Sequence, residues 1–203
     1  MTTTQISHPT KRERNKASNR AALLVAAKAV FAEMGYGAAS VRDIIRRTDL
    51  AAGTFYNYFT DKQAIFRAVI EELTLELRNR HSSGRRSATT IEAFVYGTFK
   101  SYFGFIAEDP DLVAFSRLSA GAIRTLLDQP EITPLFDDLR HDLADAIARG
   151  LLPPVDVEYL ASAMAGIAFE VSMVMVTRDP VDPDGATDFA ARLVLGGLLA
   201  PKA

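Results

Sequence analysis

Apolar residues recur along this chain three and four positions apart, and no stretch alternates apolar and polar as a half-buried strand does. Leu23, Ala27, Val30, Phe31 and Met34 share one face of a helix predicted from about Ser18 to Met34, and Gly35 and Gly37 supply its stop. Val41, Ile44, Ile45 and Thr48 mark a short second helix, with Ser40 at its N-cap and Asp43 completing a capping box. Thr48-Asp49 breaks that pattern, Leu50 plugs the corner, and Ala51 to Tyr58 forms a third helix of barely two turns. A fourth is expected from Thr60 as N-cap, with Gln63 as capping partner, running past Leu77 with Ile65, Phe66, Val69, Ile70 and Leu73 inward.

A polar stretch at 81–87, HSSGRRS, reads as a linker, and a second group of helices follows it. Thr89 with Glu92 opens an aromatic helix to Ala107, Pro110 restarts the chain to about Ala120, and a short segment reaches Leu127. Thr133-Pro134 opens the next helix, which Gly150 closes. Two long apolar helices end the chain, Asp156 to Arg178 and Ala186 to about Leu199. The fold class is all-α. Its expected organisation is a disordered basic arm at 1–17, a three-helix head at 18–62 and a helical body at 63–203, the helix from 61 being shared.

Charge sharpens this division. Residues 1–62 hold ten Lys/Arg against five Asp/Glu, whereas the rest hold thirteen against twenty, so a net charge of −2 conceals a basic head on an acidic body. That asymmetry suits docking of one end onto phosphate. Lys11, Arg12, Arg14 and Lys16 would let the arm follow a nucleic-acid backbone or minor groove. The chain has no Cys, which excludes disulfides and thiolate metal sites and fits a reducing cytoplasm. Residues 1–19 have no apolar core of a signal peptide, and no run of 18 apolar residues occurs, so neither secretion nor a membrane partner is expected.

Within the head, Ser40 to Lys62 has the layout of a helix-turn-helix. Small residues (Ala51, Ala52, Gly53, Thr54) open the third helix and aromatics (Phe55, Tyr56, Tyr58, Phe59) follow, so a slim tip can approach base edges while polar groups behind it hold phosphates. The segment GTFYNYFTDK, with the apolar first helix and the Gly35-Tyr36 break, resembles the DNA-binding region of TetR-type transcriptional regulators from Leu23 to about Leu73. The resemblance implies phosphate contacts at Tyr56 and Lys62 and groove contacts at Gly53 and Thr54. Ser40 and Arg42 are placed at the DNA backbone, and Ala51, Ala52, Asn57 and Tyr58 complete the expected interface. Arg46 and Arg47 read as a solvated face. Ala51 and Ala52 stand where many relatives have Ser or Lys, which leaves few side chains to read an operator.

The resemblance also implies a small-molecule cavity in the body. Its expected walls are Phe99, Tyr102, Phe103 and Ile106 on the aromatic helix, with Phe115, Leu118, Met164, Phe169 and Met173 opposite. The bland alternative is a helix buried on several sides. Arg117 and Arg124 are candidates for an acidic head group, although surface placement suits each better. The segment YFGFIAEDP is similar to regulators of fatty-acid metabolism, which points to an acyl-type effector. In this family the last two helices pair between subunits, which here involves Ala161, Ala165, Gly166, Leu193, Gly196 and Gly197 and implies a homodimer on a palindromic operator.

The expected function is therefore a cytoplasmic, ligand-responsive repressor that leaves double-stranded DNA when a hydrophobic molecule binds. The alternative is a helical carrier or sequestering protein for hydrophobic ligands with a vestigial head. The basic arm and the Thr54-Phe55-Tyr56 block weigh against it. An enzyme is not expected: His8, His81 and His141 show no metal spacing, and there is no phosphate-binding Gly-rich loop or nucleophile elbow. No cofactor is implied.

Overall fold

The computed structural model of the protein describes residues 10–127 and 137–199, with the backbone alone for 80–87 and 127. Ten helices and no strand occur among the described residues. The head contains α1 (Lys11–Ala38), α2 (Val41–Arg46) and α3 (Ala52–Tyr56), and α4 (Lys62–Ser87) leads from it into the body. The body adds α5 (Ile91–Ala107), α6 (Pro110–Leu118), α7 (Ala120–Leu127), α8 (Asp137–Ala148), α9 (Val157–Met175) and α10 (Pro183–Leu198). Helix α5 lies at its centre and packs on α4, α6, α9 and α10. That position explains the surplus of aromatics on α5. Phe94, Phe99, Phe103 and Phe105 are all buried, because the helix meets neighbours on several sides.

Several boundaries differ from expectation for local reasons. From Lys11 onward the basic arm is helical rather than disordered, since Thr10 and Glu13 form a full capping box. Residues 1–9 lie outside the described set. The expected linker at 81–87 is the last part of α4; one internal Gly costs a helix of 26 residues only about 1 kcal/mol. Asp61, not Thr60, caps α4: its Oδ1 accepts the Ala64 N–H at 2.8 Å, and the Thr60 hydroxyl donates to Asp61 instead. Likewise Thr90 rather than Thr89 caps α5, and α10 starts at Pro183 behind the Asp182 cap. The helix opening expected at Thr133-Pro134 lies outside the described residues.

An aromatic cluster and two polar contacts join head to body. Phe31 and Tyr36 of α1, Phe66 of α4 and Phe115 of α6 form one aromatic cluster, with the Phe31 and Phe66 rings edge-on at 5.2 Å and Phe66 stacked on Phe115 at 5.7 Å. The buried core therefore runs across the boundary expected at 62–63. Beside the cluster, Lys28 donates to Asp109 at 2.8 Å, and the Tyr36 N–H donates to the buried Ser119 hydroxyl at 3.1 Å. The Lys28 ammonium, as the main influence, holds the Asp109 carboxyl below the usual carboxylate range.

By length and composition, α1 and α9 are apolar enough to cross a bilayer, with 18-residue windows of mean hydropathy 1.3 and 1.4, although neither is an uninterrupted apolar run. In α1 much of that apolar surface faces the core, and 44% of its window is buried. In α9 only 22% is buried.

Gly35 makes the close approach of α1 to α6 possible. Its φ of 73° and ψ of 161° lie in a region essentially reserved for glycine, and a Cβ there would sit 2.6 Å from the Leu118 carbonyl oxygen. Gly35→Ala is expected to destabilise the protein by about 1–3 kcal/mol, read as a lower urea midpoint at fixed protein concentration. A midpoint equal to wild type would show that this joint tolerates displacement.

Candidate DNA-binding interface and effector cavity

The helix-turn-helix is held by contacts that leave its outer face open. Ile44 of α2 and Phe55 of α3 are fully buried, and Phe55 lies 5.8 Å from the ring of Phe59. The α2 capping box is complete: the Asp43 N–H donates to the Ser40 hydroxyl oxygen, and the Ser40 N–H donates to the Asp43 carboxylate at 3.0 Å. Ser40, expected at phosphate, is thus engaged in its own cap, although it remains exposed. Arg42 is exposed beside it, and Arg47 pairs with Glu33.

Ala51, Ala52 and Gly53 are exposed at the tip of α3, and nothing lies within 4 Å of where a Gly53 Cβ would be. Thr54 is half-buried behind them. Tyr56 is 62% exposed and Asn57 is exposed, whereas Tyr58 packs partly against the core. The structure therefore brings Arg42, the tip, Tyr56 and Asn57 onto free surface, and turns Tyr58 inward.

Lys62 has a different position from the one expected. Its Nζ donates to the carbonyls of Tyr36 at 2.7 Å and Ala39 at 2.8 Å, and lies 4.4 Å from the centre of the Tyr36 ring. This ammonium fastens the start of α4 to the end of α1. Carbonyls at a helix C-terminus attract a cation, and the ring face adds to that attraction. A phosphate contact at Lys62 would have to share this ammonium with the clamp. Lys62→Met should therefore lower the thermal midpoint as well as DNA affinity; loss of DNA affinity with an unchanged midpoint would return Lys62 to a purely phosphate-binding role.

Two caps also tie the head to pH. Hydrogen bonds from the Ser40 side chain and backbone hold Asp43 below its ordinary pKa, and the Ala64 N–H does the same for Asp61. A carboxylate depressed in the folded state contributes stability above its unfolded pKa, and that contribution disappears as pH falls through the folded value. The unfolding midpoint should drop on acidification from about pH 5 to 3, and Asp43→Asn with Asp61→Asn should flatten the drop. An identical slope in the double variant would remove these caps from the acid response.

In the body, a cavity of about 180 Å³ opens between α4, α5, α8 and α9. Of the expected walls, Phe99, Tyr102, Met164 and Phe169 line it. A smaller space of about 120 Å³ toward α6 is lined by Ile106, Phe115 and Met173, and Thr74, Leu77, Tyr102 and Phe169 border both. Two expected walls are corrected. Phe103 is fully buried behind Phe99, its ring stacked 6.0 Å away, and Leu118 is half exposed at the joint against Gly35. Helical spacing put both on the right helices but could not show which neighbour each faces.

Polar groups around the cavity are few. The Thr74 and Thr98 hydroxyls each donate to a carbonyl one turn back on their own helices, at 2.8 Å. The Tyr102 hydroxyl lies 3.5 Å from Ser172, and burial pushes its phenol pKa up. Arg124 pairs with Glu170 over the Phe169 ring, and Arg117 is exposed, so both have the surface placement that suited them better. Arg78 and Asp138 line the cavity, joined as an ion pair; the sequence gives no sign of Arg78, and Asp138, near His141, reads there as part of a solvated helix face. Arg78 falls in the polar last third of α4, where nothing in the pattern distinguishes it from a solvated residue.

At the far end of the body, α9 packs on α10 and the two expose large apolar side chains: Tyr159 at 80%, and Val174, Phe189 and Leu193 each more than half. Gly166, Gly196 and Gly197 are exposed on these helices. Ala161 is not: at 1% exposure it is spent inside the chain, and Ala165 lines the cavity.

A three-helix head with a free α3, joined by a long helix to a body with an apolar cavity, is the architecture of a helix-turn-helix DNA-binding protein. Residues 23–69 match the family of bacterial regulatory proteins called the tetR family. The chain is 30% identical over 173 residues to the HTH-type transcriptional repressor DhaR of Mycobacterium sp. strain GP1, across 75% of this chain and 81% of that one. It is 32% identical over 90 residues to the HTH-type transcriptional repressor KstR2 of Rhodococcus jostii, across 42% of this chain and only 44% of that protein. In three dimensions it is similar to the regulator FadR from Bacillus subtilis, solved in complex with stearoyl-CoA, with a TM-score of 0.73, 22% identity and coverage of 87% and 98%. The chain belongs to the TetR family of transcriptional regulators, which are DNA-binding proteins rather than enzymes.

Proposed function

We propose that the protein is a homodimeric cytoplasmic repressor that binds a palindromic operator through α3 and releases it when a hydrophobic, acyl-type molecule enters the body. The observation that carries this reading is the apolar cavity beside α4, the helix whose first turn is clamped to α1 by Lys62. A molecule that spreads α4 from α5 and α8 displaces the head, provided it binds the displaced form more tightly than the DNA-bound form. Repression is supported by the similarity to DhaR and KstR2, both transcriptional repressors. The acyl preference is supported by the aromatic and Met lining and by the stearoyl-CoA bound to the FadR neighbour.

Dimerisation through α9 and α10 is supported by their exposed Tyr159, Val174, Phe189 and Leu193, large apolar side chains left at the surface of two helices packed on each other. Leu193→Glu is expected to give monomers in solution and to weaken operator binding together. A dimer that survives this change would place the interface elsewhere.

Selection of bound fragments from random duplex DNA should enrich a palindrome whose half-sites lie about one helical turn apart. Tyr56→Phe should then weaken binding to all sequences alike, as loss of a phosphate contact does. No enrichment at low salt from a dimeric protein would favour the carrier of hydrophobic ligands.

A further inference from the structure

The only charged side chains lining the cavity between α4, α5, α8 and α9, among the described residues, are Arg78 of α4 and Asp138 of α8, and they face each other as a pair. The threonines of the lining are committed to their own helices, Tyr102 faces Ser172 at 3.5 Å, and Ser101 adds only a neutral hydroxyl. A ligand whose tail lies among Phe99, Tyr102, Met164 and Phe169 therefore has one charged position at which to place a polar end. We propose that Arg78 is the head-group residue of this cavity and that the effector is a single-chain carboxylate, whose carboxyl replaces Asp138 on the guanidinium.

Three observations support a carboxylate over other amphiphiles. First, the pair is half exposed, 48% at Arg78 and 34% at Asp138, and ion pairs that open to solvent are weak enough to exchange. Second, the partners do not lose equally on exchange. A released Asp138 keeps access to water, which hydrates its carboxylate, whereas a cation taken by Asp138 would leave the Arg78 guanidinium unpaired beside the apolar lining. Third, a planar guanidinium matches a carboxylate with two parallel hydrogen bonds, and one such group suits one anion rather than the several phosphates of a nucleotide thioester.

The exchange leaves the frame intact. Arg140 of α8 donates to Asp137 at 3.1 Å and to Glu158 of α9 at 2.8 Å, so α8 stays fastened to α9 when Asp138 lets go. What changes is the tie between α8 and α4. The carboxylate thus acts on the helix that carries Lys62, four turns upstream of Arg78.

This assignment rests on the proposed apolar effector site, and the test separates the two. Calorimetric titration of the full chain with decanoate, 1-decanol, decyltrimethylammonium and decanoyl-CoA should show decanoate binding about tenfold more tightly than the alcohol and more tightly than the other two. Arg78→Gln should bring decanoate down to the level of the alcohol, and Asp138→Asn, which removes the competing carboxylate, should strengthen decanoate binding. Ala168→Phe, which fills the cavity, should abolish binding of both, with thermal melts confirming that each variant is folded. Equal binding of decanoate and decanol, or a preference that survives Arg78→Gln, would overturn the role of Arg78 while leaving the apolar site standing. Tighter binding of decyltrimethylammonium or decanoyl-CoA would overturn the carboxylate. Absence of binding by all four would overturn the apolar site itself, and this inference with it.

Discussion

Everything in this molecule depends on the joint at which α1, α4 and α6 meet. Phe31, Tyr36, Phe66 and Phe115 exclude water there, and each of the three phenylalanines is at most 2% exposed. Truncating one such ring to alanine costs about 3–5 kcal/mol, a large share of the stability of an ordinary domain. Around these rings the polar contacts set direction rather than strength. Lys62 closes over the Tyr36 ring and the α1 carbonyls, Tyr36 donates to Ser119, and Gly35 lets the backbones approach. The head therefore cannot swing on α4 as on a free hinge. It moves when the joint moves.

That constraint gives the cavity its leverage. Helix α4 carries Phe66 in the joint and Thr74, Leu77 and Arg78 in the cavity wall, so one rigid element contributes to both. The spaces on either side of Tyr102 and Phe169 are each small. Joined, they reach the lower end of the roughly 300–1,000 Å³ usual for small-molecule sites. A chain long enough to use both would press on α4 and approach Phe115 of α6. The two ends of the joint would then receive the same displacement.

Much of this was legible in the sequence, where local chemistry is self-contained. The capping box at Ser40 and Asp43, the glycine stop at Gly35 and the aromatic block after Thr54 follow from residues within a turn of each other, and they located the head. Legibility failed wherever a partner is distant in sequence. The clamp made by Lys62 could not be read, because its carbonyl partners lie 23 and 26 residues away. Leu118 and Phe103 lay on the right helices, but the faces they turn depend on α1 and on the core behind α5. Arg78 carried no signal, because its meaning comes from Asp138 and from a cavity formed by four helices. The arm at 11–17 was a local error: Thr10 and Glu13 have the same spacing as the cap that was recognised at Ser40.

The account stands on the claim that filling the cavity displaces the heads. With no native cysteine, a single spin label can be placed through Ala52→Cys, at the exposed start of α3. The distance between labels across the dimer can then be measured with and without decanoate. The account predicts a narrow distribution near the one-turn spacing of about 34–36 Å without ligand, and a displaced one with ligand bound. An unchanged distribution at saturating decanoate, with binding verified by calorimetry on the same sample, would contradict it.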